Sequence, residues 1–282
     1  MNQGKEMMVV RVAPTRDGHR NPAERLPDKL TRLLCGRTLD EWWAIQSWAS
    51  KHISQSILVG ETPEHEDAIL KTLRAMEPGC PGVMDRLTVI VRPETMNHPT
   101  QDSGSFPCRY GYEWAKSRLR NINILMTDFV VSPLRMPGDL DRLVEEFAKK
   151  LASPNPDAVT GVEFMTSFAR TEGTFYGSIG DRALHHYRIE QTGNLRYAEN
   201  WTTMNTFCAM TPRFYEASHV GAALQLPQYM DMHPWRFEVE PWQEVHIDYE
   251  WEWELAEHLF EKHIGGIEAY EHYRRSWYRT GS

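Results

Sequence analysis

An arginine, a glycine and a lysine following the first apolar run form the set best suited to hold phosphate. Residues 7–13 (MMVVRVA) empty into Pro14-Thr15-Arg16-Asp17-Gly18-His19-Arg20, and the chain runs on to Arg25-Leu26-Pro27-Asp28-Lys29. Between positions 11 and 37, seven Arg or Lys stand against three acids (Asp17, Glu24, Asp28), a local +4 in a chain whose formal net charge is −8. Backbone N–H groups around Gly18, with Arg16 and Lys29, can cradle a triphosphate, which needs concave donors and positive charge together. A solvated surface loop has the same composition. Charge alone favours that loop, and the phosphate reading stands beside it because ligands of open α/β sheets bind beyond the carboxyl ends of the strands, where this loop must lie.

The elements around this loop follow from periodicity. Residues 7–13 read as a buried strand ending at Pro14. Leu39, Trp42, Ile45 and Ala49 recur at steps of three and four, which predicts a helix over 38–52. Strands follow at 53–60, 87–91, 121–131 and 158–164, and helices at 62–76, 110–119 and 137–151. Such alternation calls for a mainly parallel sheet with helices on both faces, a three-layer Rossmann-like α/β fold. After Thr166 the texture changes. Short β-like runs at 174–179, 184–189 and 194–197, parted by Gly180-Asp181 and Thr192-Gly193, read as inserted antiparallel hairpins. The sheet is expected to resume at 203–210 and 244–247. A closing helix over 249–263 would bury Trp251, Leu255 and Leu259. The expected organisation is one domain, 1–282, with an inserted hairpin element at 168–200.

Composition narrows the function classes. The acidic balance argues against nucleic acid or an anionic membrane as partner, since both need a basic footprint. Cys35, Cys80, Cys108 and Cys208 show no CxxC spacing, so reduced thiols and a cytoplasmic location are expected. No apolar run approaches the roughly 18 residues of a membrane span.

Several blocks resemble the CMP-sialic acid synthetases and the related KDO cytidylyltransferases. P-T-R-D-G-H at 14–19 and R-L-P-D-K at 25–29 are similar to the family's first loop, and Gly36-Arg37-Thr38-Leu39 to its G-K-P-L. Arg92-Pro93-Glu94 resembles R-P-x-x-L, and Ser132-Pro133-Leu134-Arg135 resembles T-S-P-L-R. His246-Ile247-Asp248, with Glu252 and Glu254-Leu255-Ala256-Glu257, resembles D-I-D-x-x-x-D-x-E-L-A-E. Asn205 matches the Asn of an N-G-x-x-Y strand more loosely. The resemblance implies a GT-A-like nucleotidyltransferase fold and transfer of CMP from CTP to a 2-keto-3-deoxy sugar acid. It also implies a homodimer built on the hairpin element. Thr15, Arg16, Gly18, His19, Lys29 and Arg92 would bind the nucleotide, Arg16, Lys29 and Asp248 being catalytic. Phe129, Ser132, Arg135 and Asn205 would line the acceptor, and Asp248 with His246 would hold Mg²⁺, or Mn²⁺ in its place.

This chain departs from the family pattern at three positions. His246 stands where the family has the first aspartate of its metal pair, leaving Asp248 as the one aspartate there. Imidazole suits softer metals than Mg²⁺. A one-carboxylate Mg²⁺ site, a changed metal preference and a site without catalysis are the three readings. Phe129 stands where sialic acid enzymes carry a Gln, and His19 replaces a loop serine, which points to an acceptor other than sialic acid. Another nucleotide and sugar, or a non-catalytic nucleotide- or sugar-binding relative, are the alternatives.

Overall fold

The computed structural model describes residues 7–16, 26, 29–96, 105–153, 163–170, 176–179, 182–185, 201–202, 207–223 and 235–277. The chain divides into two compact units, Met1–Arg142 with Val245–Ser282, and Leu143–Glu244.

The first unit is a parallel sheet in the order β4-β1-β2-β3, formed by β1 (Met8–Pro14), β2 (Gln55–Gly60), β3 (Leu87–Val91) and β4 (Ile122–Asp128). Helix α1 (Leu39–Ala49) opens on a capping box in which Thr38 and Glu41 satisfy each other's backbone N–H groups. Helix α2 (Pro63–Ala75) is capped by Thr62 and has proline at its start. Helix α3 (Ser105–Arg118) precedes β4, and α4 (Asp139–Leu151) follows it.

Helices cover both faces of this sheet. Successive residues of a strand point to opposite faces. Arg11 reaches the Trp43 carbonyl and Ser47 of α1, while its neighbour Val12 meets α3. Gly111 is what lets α3 come so close: a Cβ there would lie 2.6 Å from Val12 Cγ1 and 2.8 Å from Val59 Cγ2. Every residue of α1 is buried, because α6 (Glu250–His263) and α7 (Ile267–Trp277) cover its outer side. Trp42 packs on Phe260 and Tyr270 at centroid distances of 4.4 and 6.1 Å.

The second unit is a mixed sheet of β5 (Phe164–Arg170), β6 (Tyr176–Ile179), β7 (Arg182–His185), β8 (Trp201–Thr202), β9 (Phe207–Met210) and β10 (Trp235–Val239), with α5 at Pro212–Ala223. β5 pairs parallel with β10 and antiparallel with β8 and β9. β6 and β7 form the expected antiparallel hairpin. Of the rest of the proposed insertion, 168–170 belong to β5, while 171–175, 180–181 and 186–200 lie outside the described residues.

The strand expected at 158–164 is found as β5, Phe164–Arg170, residues 158–162 lying outside the described residues. Three further expectations change. Residues 245–248 are an irregular connection, not a strand; β10, just upstream, takes the place in a sheet. In α6 the buried face is Trp253, Ala256 and Phe260, while Trp251 is 60% and Leu255 38% exposed. The i, i+4, i+8 and i, i+3, i+7 stripes of that helix are both apolar, and the one carrying Phe260 onto Trp42 takes the core. Helices α5 and α7 were not anticipated.

Candidate active site

Because β1 and β4 are parallel neighbours, the segments leaving their carboxyl ends emerge side by side. A distant segment joins them there, with Ile247 N donating to Val131 O at 2.9 Å. Lys29 arrives from the first loop. Its Nζ donates to Asp248 Oδ1 at 2.8 Å and to the Ile247 carbonyl at 2.9 Å. The Lys29 side chain is 11% exposed and that of Asp248 39%, so the pair is screened less than an ordinary surface bridge. Glu252 Oε2 accepts from the backbone N–H of Asp248 (2.6 Å) and of Tyr249 (2.8 Å), pinning Asp248 to the start of α6.

His246 completes the cluster. Its Nδ1 lies 3.1 Å from Ser132 Oγ and its Nε2 4.0 Å from Asp248 Oδ1. Phe129 meets the imidazole edge-on, with centroids 5.8 Å apart. Burial lowers the His246 pKa below its ordinary value, Lys29 and Arg135 push the same way, and Asp248 and Glu252 oppose them. The ring is therefore neutral at pH 7. Lys29, Phe129, Ser132, His246 and Asp248 are thus brought together.

Arg135 borders this cluster through the Ser132 carbonyl, whereas Arg92, Thr15 and Arg16 make their contacts apart from it. Arg92 is buried at the end of β3, with Nη2 2.6 Å from Glu61 Oε1. Thr15 is buried and donates through Oγ1 to Asp40 Oδ2 at 3.2 Å. Arg16 is half-buried and lines a cavity between α1 and α2. Arg135 points inward: its guanidinium lies 3.5 Å from Asp128 Oδ2, 3.3 Å from Gln46 Oε1 and within hydrogen-bond reach of the Ser132 carbonyl. Gly18, His19 and Asn205 lie outside the described residues.

Beneath the cluster is a buried polar network that the sequence reading missed. Arg11 contacts Asp128 Oδ2 through Nε (2.8 Å) and Nη2 (2.5 Å), and Trp43 Nε1 donates to Asp128 Oδ1 at 2.6 Å. Arg11 also reaches the Trp43 carbonyl, Ser47 Oγ and Gln46 Oε1. Strand register explains the meeting. Arg11 pairs with Met126, so Asp128, two residues on, shares its face. Burial lowers the Arg11 pKa to about 10, Asp128 raising it and Arg135 lowering it further. Two guanidinium groups share one carboxylate, and the loop carrying Phe129 and Ser132 is anchored through Arg135. The available signal was a lone arginine inside an apolar strand.

Asp40 was missed as well. Burial raises its pKa to about 7 from an ordinary 3.8, with Glu41 adding to the rise and the Thr15 hydrogen bond opposing it. The folded chain then keeps a proton that the unfolded chain releases, so stability falls as pH rises from about 4 to about 7. Asp40→Asn is expected to remove that slope and to stabilise the protein at pH 8 by roughly 1–3 kcal/mol. Urea denaturation at pH 5 and pH 8 checks this; identical slopes in the two proteins would count against it.

Among the described residues, no three His, Cys, Asp or Glu side chains converge as a metal-binding group. Mg²⁺ commonly takes one or two carboxylates and completes its shell with phosphates and water, a demand that Asp248 fits. His246 suits it less well. No described helix is long and apolar enough to cross a membrane.

No family model matches the chain, and no curated protein matches it by sequence. Solved structures do. A CMP:2-keto-3-deoxy-manno-octonic acid synthetase complexed with CTP superposes with a TM-score of 0.62 at 14% identity, covering 90% of this chain and 99% of that one. A 4-diphosphocytidyl-2C-methyl-D-erythritol synthase from Anaerococcus prevotii gives 0.57 at 13% identity, over 91% and 97%. The inositol-1-phosphate CTP transferase from T. maritima gives 0.51 at 15% identity, over 92% and 98%. The chain therefore has the mixed α/β fold of these nucleotidyltransferases, with a mostly parallel sheet.

Proposed function

We propose that the chain is a cytidylyltransferase that transfers CMP from CTP to a 2-keto-3-deoxy sugar acid and releases pyrophosphate. The contact between Lys29 and Asp248 carries the reading: a cation from the first loop meets a carboxylate 219 positions later at the carboxyl edge of a parallel sheet. The likeness to a synthetase complexed with CTP supports it, as do the other two structures, whose names also specify cytidyl chemistry.

In this reaction the anomeric hydroxyl attacks the α-phosphorus and gives up its proton to water, the bond to the bridging oxygen breaks, and pyrophosphate carries away the negative charge. Such transfer asks the protein chiefly for in-line positioning and charge neutralisation. Arg16 and Lys29 supply the positive charge, Lys29 exchanging Asp248 for phosphate oxygen as CTP enters. Ser132 and the neutral His246 fix the wall against which the sugar acid lies. Asp248 would hold Mg²⁺, or Mn²⁺, which would supply further neutralisation of the triphosphate. The enzyme works in the cytoplasm as a homodimer.

Incubation with CTP, Mg²⁺ or Mn²⁺ and a panel of ulosonic acids should release pyrophosphate. Silence across the panel despite CTP binding would remove the acceptor assignment. In a thermal-shift comparison of the four NTPs, CTP should stabilise the protein most, and Arg16→Ala should abolish the shift; an Arg16→Ala protein with the full shift would contradict the proposed phosphate contact. His246 favours one second reading, a nucleotide-binding relative without turnover. In that case His246→Asp leaves activity absent; a gain of activity on that substitution rejects it.

A further inference from the structure

The cavity between α1 and α2 is lined by an aspartate, one of whose carboxyl oxygens is buried and unsatisfied among the described residues. Asp40 is 6% exposed. Its Oδ2 accepts from Thr15 Oγ1, while Oδ1 has no hydrogen-bond partner among the described residues. Buried acceptors are nearly always paired, and leaving one bare is costly. Asp40 lines the cavity, whose volume of about 380 Å³ falls in the range that takes small molecules. Leu30, Ala68, Ile69 and Leu73 form its apolar wall. Glu41 and Glu64 add acid beside Asp40, so a hydrogen-bond donor is favoured at that end, with Arg16 the cationic member of the lining.

We propose that this cavity binds an amino group carried on a small apolar body, with Asp40 Oδ1 accepting its hydrogen bond. Burial that holds the carboxyl at about pKa 7 is consistent with an oxygen awaiting a donor. Two sources present this chemistry. One is the exocyclic amine of a nucleobase, which rests on the nucleotide reading above and is made natural by Arg16 at the same cavity. The other is a free aliphatic amine, which does not rest on it. A site built around a buried acceptor discriminates strongly against an isostere lacking the donor. Above pH 7, where Asp40 is ionised, a base bearing a carbonyl at that position would set oxygen against oxygen, so the discrimination is read at pH 8.

The test uses two matched pairs in NMR titrations of the whole protein: cytidine against uridine, and n-butylammonium against 1-butanol. At least one pair should show a tenfold preference for the amine. That preference should vanish in Asp40→Leu and in Ala68→Phe, the latter placing a ring in the cavity from an exposed position of α2. Ala68→Phe carries the test if Asp40→Leu does not fold. Equal binding within both pairs, or a preference surviving Ala68→Phe, overturns the proposal. If both pairs show no preference while CTP still stabilises the wild-type protein, the cavity assignment falls and the nucleotide reading stands. If CTP fails to bind, the nucleotide reading falls and the butylammonium pair alone decides the cavity.

Discussion

Asp128→Asn should cost about 3–5 kcal/mol of folding stability, the range seen when one partner of a buried ion pair is removed. Arg11 and Arg135 would keep their charges with no carboxylate between them, and neither is more than 2% exposed. The asparagine can still accept from Trp43 Nε1, so the loss reports charge rather than shape. Replacing charge on both sides, as in Arg11→Met with Asp128→Leu, should recover part of the loss, because a buried pair often contributes little beyond its apolar equivalent. Denaturant midpoints of the single and double variants decide the matter. A single variant within about 1 kcal/mol of wild type would show that the network is not a structural anchor.

Lys29→Met should lower kcat/KM by roughly 10²–10³, the scale for loss of one charged donor to a phosphate or oxyanion. The methionine preserves most of the side-chain volume and leaves the fold intact. The Ile247 carbonyl and Asp248 lose their shared donor, so some loosening of the 245–248 connection accompanies the change. A steady-state comparison with Lys29→Arg separates the two effects. Arginine keeps the charge and should recover part of the rate, whereas equal loss in both variants would assign Lys29 to shaping the connection alone.

The parallel part of the fold was legible because each of its strands is a short apolar run and α1 and α4 have a clear apolar period. β3 was placed to the residue, and α1 and α2 to within a few residues. The second unit was read less well. Its strands are two to seven residues long, and β10, which pairs with β5 in parallel, carries a charged arginine and glutamate in five positions. For α6, periodicity offered two apolar stripes and could not say which one Trp42 would receive. In the site, motif order brought Lys29, Ser132, His246 and Asp248 to one place, as the structure also does. Arg11, Asp128 and Asp40 escaped because their roles depend on which face of a strand or helix turn they share, which spacing along the chain does not reveal.

The first unit is assembled from two stretches of chain separated by residues 143–244, and this orders events during synthesis. When translation has passed residue 142, all four parallel strands have been made, yet Phe260 and Tyr270, which shield Trp42, and Asp248, which receives Lys29, are still to come. An aromatic surface therefore stays uncovered for about a hundred further residues, several seconds at ordinary elongation rates of roughly 5–20 residues per second. A nascent chain in that interval is a natural client for a ribosome-associated chaperone.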